Sequence, residues 1–263
     1  MTDLFGGCDV GSTTGKAVLV AEGGEIVAHA LAPSRLDPEV TAREVLDEAC
    51  RRAGIEGPSA LTYLVGTGYG RTEVPFADEN VSEITCHAVG AYACDGSVRT
   101  IVDIGGQDVK AIGLSPDGSV REFAMNDKCA AGTGRFYEAM ARAFGVDLDR
   151  FSELSLSAKR SVPISSQCSV FAESEVVSLI GRRTPAPDIA AGVQAAVAKR
   201  VFALARRVGV EPKVVITGGC AKNRGLAQTL GGLLRVEITP LAVDAQLMGA
   251  LGAAVLAEGR ARH

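Results

Sequence analysis

The sequence predicts an α/β protein with two similar lobes, and two observations support this prediction. The first is an internal repeat, because residues 8–18 align with residues 102–112 and place Asp, Gly, Lys and Ala at equivalent positions between apolar flanks. The second is the alternation of apolar strand patterns with helical patterns along the chain. A duplicated pattern of this kind indicates two lobes arranged around one ligand.

Each copy of the repeat predicts a tight hairpin between two buried strands. The apolar flanks place turns at residues 11–14 and 105–108. Glycine and small hydroxyl residues allow backbone N–H groups to approach an anion closely, so we expect both turns to bind phosphate. The predicted phosphate-binding residues are Gly11, Ser12, Thr13, Thr14 and Lys16 in the first copy, and Gly105 and Gly106 in the second.

An aspartate ends the entering strand of each hairpin. Asp9 and Asp103 can together hold a hydrated Mg²⁺ through its water ligands. A single Asp-x-Gly turn is common and usually structural, so this prediction depends on the two copies being in register. We expect Lys16 to neutralise developing charge, and Gln107 to position the attacking water. The predicted catalytic residues are Asp9, Asp103 and Gln107.

Other glycine-rich segments differ from the known phosphate motifs. The run 11–17 is one residue shorter than a P-loop and ends in Ala where the P-loop has a hydroxyl. In the run 66–71, the third glycine comes one residue too early for a dinucleotide loop, which favours a strand-to-helix turn lining the cleft. The apolar strand 213–217 leads into Gly218 and Gly219, which could be a plain turn or could lie flat against an adenine.

The chain therefore carries two predicted phosphate turns followed by a candidate adenosine turn. This order resembles the ATPase superfold of actin, sugar kinases and heat-shock chaperones, which has duplicated ribonuclease H-like lobes. We expect residues 1–97 to form the first lobe and residues 98–263 the second, with the option that the final helix packs back on the first lobe. Helices are expected from Asp37-Pro38 to Gly54, from about Ile189 to Gly209, and over residues 245–257.

Composition is typical of a compact cytoplasmic protein. With 263 residues, of which 47% are hydrophobic, the chain can bury a full core. A net charge of −4 argues against nucleic acid as a partner. Asp3 interrupts any signal peptide and no apolar run approaches about 18 residues, so we expect no membrane segment. Seven cysteines without a C-x-x-C pair argue against a disulfide scaffold or a zinc ribbon.

Two cysteines differ from the rest in their surroundings. Cys129 and Cys168 lie in polar, Gly- and Ser-rich segments, each just before a helical pattern, and the second pattern is expected to bury Val176, Val177 and Ile180. A helix N-terminus stabilises thiolates and other anions, so both cysteines are candidate soft metal ligands. Two thiolates do not complete an iron-sulfur site that takes four, but two identical subunits would complete it.

The remaining cysteines lie in or beside apolar runs, so we expect them to pack as small hydrophobic residues. They are Cys8, Cys50, Cys86, Cys94 and Cys220. His87 follows Cys86, and we expect a packed or surface histidine there rather than a metal ligand.

Six runs together resemble the ATP-dependent activators (component A) of 2-hydroxyacyl-CoA dehydratases, in a wider family that includes the ATPase subunits of benzoyl-CoA reductase. The runs cover residues 8–13, 66–71, 82–88, 103–110, 126–136 and 165–177. This resemblance implies a homodimer of anaerobic metabolism with one [4Fe-4S] cluster, held by Cys129 and Cys168 of both subunits. It also implies MgATP-driven electron transfer to a dehydratase or reductase component, with ferredoxin or flavodoxin as the electron donor.

The resemblance also implies nucleotide contacts close to the cluster. The residues expected to contact the ribose and adenine are Gly132, Thr133, Gly134, Gly218 and Gly219. ATP binding would then change the surroundings of Cys129, through lobe closure that moves the cluster-bearing helices.

Alternatives remain open. The chain could serve benzoyl-CoA reductase or another low-potential cluster reductase instead of a dehydratase. A small-molecule kinase of the same superfold would need a carboxylate base at the cleft and would have no use for paired helix-start cysteines. A nucleotide sensor that binds a protein partner is a third reading. The iron content of anaerobically purified protein separates the kinase and the sensor from the electron carriers.

Overall fold

The computed structural model describes residues 3–127, 129–165 and 168–262, and it divides the chain into two compact units. The first unit comprises Met1–Ile101, Leu114–Arg121 and Leu241–His263, and the second comprises Val102–Gly113 and Glu122–Pro240. The chain therefore passes between the units more than once.

The strands are β1 (Leu4–Val10), β2 (Thr14–Ala21), β3 (Ile26–Pro33), β4 (Tyr63–Thr67), β5 (Glu79–Asn80), β6 (Thr100–Ile104), β7 (Val109–Leu114), β8 (Val120–Asn126) and β9 (Val214–Thr217). The helices are α1 (Pro38–Ala53), α2 (Glu83–Cys94), α3 (Gly134–Phe144), α4 (Leu148–Leu156), α5 (Ser169–Gly181), α6 (Ala186–Ala205), α7 (Arg224–Leu234) and α8 (Met248–Ala261). No helix in the described part of the chain is both long enough and apolar enough to cross a membrane.

The two sheets repeat one strand order. The first sheet runs β3-β2-β1-β4-β5 and the second runs β8-β7-β6-β9. In the first, β1 pairs antiparallel with β2 and parallel with β4. In the second, a parallel bridge from Val214 to Ile238 extends the edge beyond β9. The repeat that the sequence shows over one hairpin therefore extends over a whole sheet.

Helix α1 follows from its sequence signals. The Asp37 carboxylate accepts a hydrogen bond from the Glu39 backbone N–H at 2.9 Å, and Gly54 closes the helix at φ 74°. An N-cap of this kind contributes about 1 kcal/mol, and the left-handed closing residue favours glycine. The apolar face, including Cys50, is buried against β2 and β3. The predicted start and end of this helix are confirmed.

Glycines set the packing of α2 against α8 in the first unit. A Cβ added to Gly252 would overlap the carbonyl oxygen of Cys86, and one added to Gly90 would overlap the carbonyl oxygen of Met248. The two helix backbones approach each other more closely than any larger residue would permit. Helix α8 also packs on β1, where Gly7 faces the backbone of Ala250.

The second unit has its own core between the second sheet and α3, α4, α6 and α7. Phe136, Tyr137 and Phe151 are fully buried and pack edge to face, with ring centroids 6.2 Å apart in both contacts. Helix α6 continues into a short 3₁₀ turn at Arg206–Val208 and ends at Gly209, as the sequence predicts.

Candidate functional site

The first hairpin joins β1 to β2. Its register pairs Asp9 with Lys16, and the Gly11 backbone N–H donates to the Thr14 carbonyl oxygen at 3.1 Å. Lys16 Nζ lies 3.2 Å from Asp9 Oδ2 and donates to the Thr14 carbonyl oxygen at 3.1 Å. Residues 11–14 are partly exposed, so their backbone can reach a ligand.

The second hairpin, between β6 and β7, reproduces these contacts. The Gly105 backbone N–H donates to the Asp108 carbonyl oxygen at 3.0 Å. Lys110 Nζ lies 3.3 Å from Asp103 Oδ2 and 2.8 Å from Asp108 Oδ2. The same hydrogen bond and the same Asp–Lys pair therefore occur at equivalent positions in both units, which confirms the two predicted hairpins.

Both hairpin carboxylates are buried, with Asp9 5% exposed and Asp103 3% exposed. A buried carboxylate is costly unless charged or hydrogen-bonding groups surround it, and in each hairpin a lysine supplies that charge. Asp103 Oδ1 also accepts a hydrogen bond from Thr217 Oγ1 at 3.0 Å. Each carboxylate is therefore held in one orientation beside a glycine-rich turn.

A second equivalence lies beside the carboxylates, and sequence reasoning missed it. Both β4 and β9 end in threonine, followed by Gly68 at φ 92° and Gly218 at φ 80°. A Cβ on Gly218 would lie 2.8 Å from Asp103 Oδ1, and a Cβ on Gly68 would overlap Asp9 Oδ1. An apolar strand ending in Thr-Gly, once in each unit, is the signal that could have revealed this match.

The segment after Cys129 contacts the second hairpin directly. The backbone N–H groups of Gly134 and Arg135 donate to the carbonyl oxygens of Gly105 and Gly106, at 2.9 and 3.0 Å. A Cβ on Gly134 would lie 3.3 Å from the Gly105 oxygen, so a side chain would disturb this contact. The positive end of α3 therefore lies beside the predicted phosphate turn.

The remaining predicted site residues occupy different surroundings. Exposed Gln107 lies beside Arg135, and with its amide oxygen turned to the guanidinium it accepts from Nε and Nη2, both at 3.2 Å. Thr133 is buried, and its Oγ1 donates to the Ala130 carbonyl oxygen at 2.7 Å. Gly132, at φ 108°, faces the side chain of Arg200 instead of the hairpin. Gly219 begins a short 3₁₀ helix, Gly219–Lys222.

The two candidate ligand cysteines are both exposed and both belong to the second unit. Cys168 lies at the N-cap position of α5, so it is at a helix start, as predicted. Cys129 does not lie at a helix start, contrary to the sequence prediction, because α3 begins only at Gly134. The positive φ of Gly132 and the extended backbone of Thr133 break the helical path, since the chain must turn here to bring the Gly134 N–H to the hairpin.

The other cysteines behave as predicted. Four are buried, namely Cys8, Cys50, Cys86 and Cys220, while Cys94 is half-buried. Burial raises the pKa of Cys50 to about 11 and the pKa values of Cys86 and Cys220 to about 12. These groups stay protonated thiols near neutral pH, which makes them poor nucleophiles and poor metal ligands. His87 is buried on α2, which confirms the packed alternative for this residue.

Within the described residues, no group of three or more His, Cys, Asp or Glu side chains could hold a metal ion. Each chain instead offers two exposed thiols. Such a donor set fits a four-thiolate cluster only as one half of a site that a second copy completes. The residues present fit an iron-sulfur cluster in that shared form.

Comparisons with known proteins match almost the whole chain. The model of the BadF/BadG/BcrA/BcrD ATPase family matches residues 7–257. The activator of lactoyl-CoA dehydratase from Anaerotignum propionicum is 45% identical, over 95% of this chain and 96% of its own. The 2-hydroxyisocaproyl-CoA dehydratase activator of Clostridioides difficile is 41% identical, over 98% and 96%. One of the benzoyl-CoA reductase subunits of Thauera aromatica is 32% identical, over 99% and 94%.

Solved structures of related proteins have the same fold as this chain. Component A of the Acidaminococcus fermentans (R)-2-hydroxyglutaryl-CoA dehydratase superposes with a TM-score of 0.94 at 41% identity, over 100% of both chains. The Clostridium difficile 2-hydroxyisocaproyl-CoA dehydratase activator with bound ADPNP gives 0.92 at 40% identity, over 100% of this chain and 96% of its own. A Streptomyces griseus ROK family glucokinase gives 0.58 at 15% identity, over 97% and 99%, which concerns the fold alone. The predicted superfold is confirmed.

Proposed function

The chain belongs to the BadF/BadG/BcrA/BcrD ATPase family, and from this membership we propose that it hydrolyses MgATP to drive low-potential electron transfer from an iron-sulfur cluster to a 2-hydroxyacyl-CoA dehydratase. The observation that carries the proposal is one short segment with two features. It contains exposed Cys129, and five residues later its backbone donates hydrogen bonds to the predicted phosphate turn. Nucleotide chemistry and a candidate cluster ligand thus share one piece of backbone.

For ATP hydrolysis, we assign the glycine-rich turns 11–14 and 105–106 to the phosphates. Asp9 and Asp103 would hold Mg²⁺ through its water ligands, a role supported by their burial at strand ends beside these turns. Lys16 stands close enough to the first turn to balance phosphate charge. Exposed Gln107, at the end of the second turn, would orient the attacking water.

The proposed ribose and adenine side of the site consists of four glycines and one threonine. We assign to it Gly132, Thr133, Gly134, Gly218 and Gly219. The hydrogen bond from the Gly134 backbone to the second turn supports the assignment of Gly134 to the nucleotide site. The position of Gly218 against the Asp103 carboxylate indicates that this glycine also keeps the carboxylate free of side chains.

For electron transfer, we assign Cys129 and Cys168 of two identical subunits to one [4Fe-4S] cluster. When bound, such a cluster accepts and donates one electron at a time at low potential. An exposed apolar strip beside Cys168 supports a homodimer. Val177 and Ile180, which the sequence predicts on the buried face of α5, are exposed instead, and Phe171 in the first turn is 68% exposed. Apolar surface of this kind is typical of a protein contact.

The partner is proposed from the relatives. Activators of dehydratases among them favour a 2-hydroxyacyl-CoA dehydratase component as the electron acceptor. The similarity to a benzoyl-CoA reductase subunit keeps a ring reductase, or another low-potential cluster reductase, as the second candidate. Ferredoxin or flavodoxin would supply the electron, in the cytoplasm of an anaerobically growing cell.

The experiment that tests this function is metal analysis of anaerobically purified variants. Cys129→Ser and Cys168→Ser should each remove the cluster from the whole dimer, because each substitution deletes two of four thiolates. Cys50→Ser is the matched control, since Cys50 is buried on α1, and it should retain wild-type iron and sulfide. Normal iron and sulfide in either Cys129→Ser or Cys168→Ser would contradict the bridging cluster.

A further inference from the structure

A cavity of about 210 Å³ lies in the second unit, between the Cys129 segment and α6. Its lining includes Asn126, Ala131, Gly132, Arg200 and Arg207. Two arginines therefore face one space, and they differ in their surroundings. Arg200 is half-buried, whereas Arg207 is exposed.

The Arg200 side chain lies against the segment that leads from Cys129 into α3. Its Cδ lies 3.9 Å from the position that a Cβ on Gly132 would occupy. Its guanidinium carbon lies 5.9 Å from the centroid of the Phe136 ring, in the first turn of α3. The side chain therefore lies beside the part of this segment between Gly132 and the first turn of α3.

Geometry also brings Arg200 close to Cys129. The Asn126 side-chain amide donates a hydrogen bond to the Cys129 carbonyl oxygen at 3.4 Å, and Asn126 lines the same cavity as Arg200. An arginine stays protonated in proteins even when it is half-buried, so the positive charge is permanent. Partial burial also weakens the screening of this charge by solvent.

We propose that Arg200 is a positioning residue that places a permanent positive charge beside the cluster ligand Cys129 and thereby raises the reduction potential of the cluster. The inference rests on the proposed function above. One electron enters the cluster on reduction and no bond is made or broken, so the reduced form carries one more negative charge. A nearby guanidinium stabilises that form more than the oxidised form, which makes reduction easier.

The test is an EPR-monitored redox titration of anaerobic, cluster-loaded variants. Arg200→Gln should shift the midpoint potential to a more negative value, while Arg200→Lys, which keeps the charge, should stay close to wild type. Arg207→Gln is the matched control, because Arg207 lines the same cavity but is exposed, and it should not shift the potential. Arg200→Met preserves the aliphatic packing against Gly132 and should show the same negative shift as Arg200→Gln.

The outcomes separate this inference from the function on which it rests. Wild-type protein without iron would overturn the proposed function. Normal iron in Arg200→Gln with an unchanged midpoint potential would overturn the role of Arg200 and leave the function standing. Loss of iron from both Arg200→Gln and Arg200→Met, with the fold intact by circular dichroism, would show that Arg200 only supports the loop and would also overturn the inference.

Discussion

The Asp103 carboxylate is held by contacts with three other residues of the second unit. It accepts from Thr217 Oγ1, pairs with Lys110, and lies against Gly218. An asparagine has nearly the same shape and can keep the hydrogen bond from Thr217, and Lys110 keeps Asp108 as a partner. Asp103→Asn therefore removes a charge while leaving the packing in place.

We expect Asp103→Asn to lower kcat for ATP hydrolysis by about 100-fold or more, because an electrostatic group at the reacting phosphates is lost. Turnover at saturating MgATP and a thermal melt measure the two properties separately. Asp117→Asn is the control, since Asp117 accepts hydrogen bonds from Ser119 in an exposed turn. Unchanged turnover in Asp103→Asn would rule out the assignment of this carboxylate to magnesium.

At the scale of the elements, the contact between α2 and α8 depends on the absence of side chains. Gly252 and Gly90 allow the two backbones to meet, and Gly249, at the start of α8, faces both Asp9 and His87. The close approach also brings the N-terminal end of α8 to the first hairpin carboxylate. A helix contact in the core of the first unit and the geometry of a candidate site residue are therefore linked.

Gly252→Ala should destabilise the protein by about 1–3 kcal/mol, because the new methyl group overlaps the Cys86 carbonyl oxygen and the helices must separate. Gly259→Ala is the matched control in the same helix, where nothing lies within 4 Å of an added Cβ. It should stabilise by roughly 0.5–1 kcal/mol through helix propensity. Chemical denaturation compares the two, and equal effects would disprove close backbone packing as the cause.

Elements set by local signals could be predicted from the sequence. Both hairpins, both ends of α1 and the end of α6 follow from glycines, caps and apolar periodicity that act within a few residues. The start of α3 could not be predicted, because the backbone turn after Cys129 is stabilised by hydrogen bonds with a hairpin about thirty residues earlier in the chain. The match of Gly68 with Gly218 was missed for a similar reason, since each packs on a carboxylate from another strand.

At the scale of the whole molecule, the question is whether nucleotide and cluster are coupled. The Gly134 and Arg135 N–H groups bind the hairpin that we assign to the phosphates, and Cys129 lies on the same segment. A ligand that alters the hairpin must alter the segment or break its hydrogen bonds. Coupling is therefore expected over a few residues of backbone.

We predict that ATP, or a transition-state mimic, increases the rate at which a chelator removes iron from the reduced protein and shifts its EPR signal, while ADP has a weaker effect. Iron-chelation rates and EPR spectra, recorded with each nucleotide, measure these effects. The Asp103→Asn variant with ATP should behave like the wild-type protein with ADP, since the magnesium contact is weakened. Spectra and chelation rates that are indifferent to nucleotide would mean that the two sites are uncoupled, even if the cluster is present.

Burial divides seven chemically identical thiols into three classes, and this affects how the cluster-free protein can be handled. Four are enclosed, Cys94 is half enclosed, and only Cys129 and Cys168 are exposed to reagents. Maleimide dyes, spin labels and thiol-affinity resins should therefore react with the cluster-free polypeptide as with a protein that has two cysteines. Both of these are the proposed cluster ligands. Exposure to air carries the matching risk, because the same two surface thiols are the ones available to cross-link neighbouring chains by disulfides.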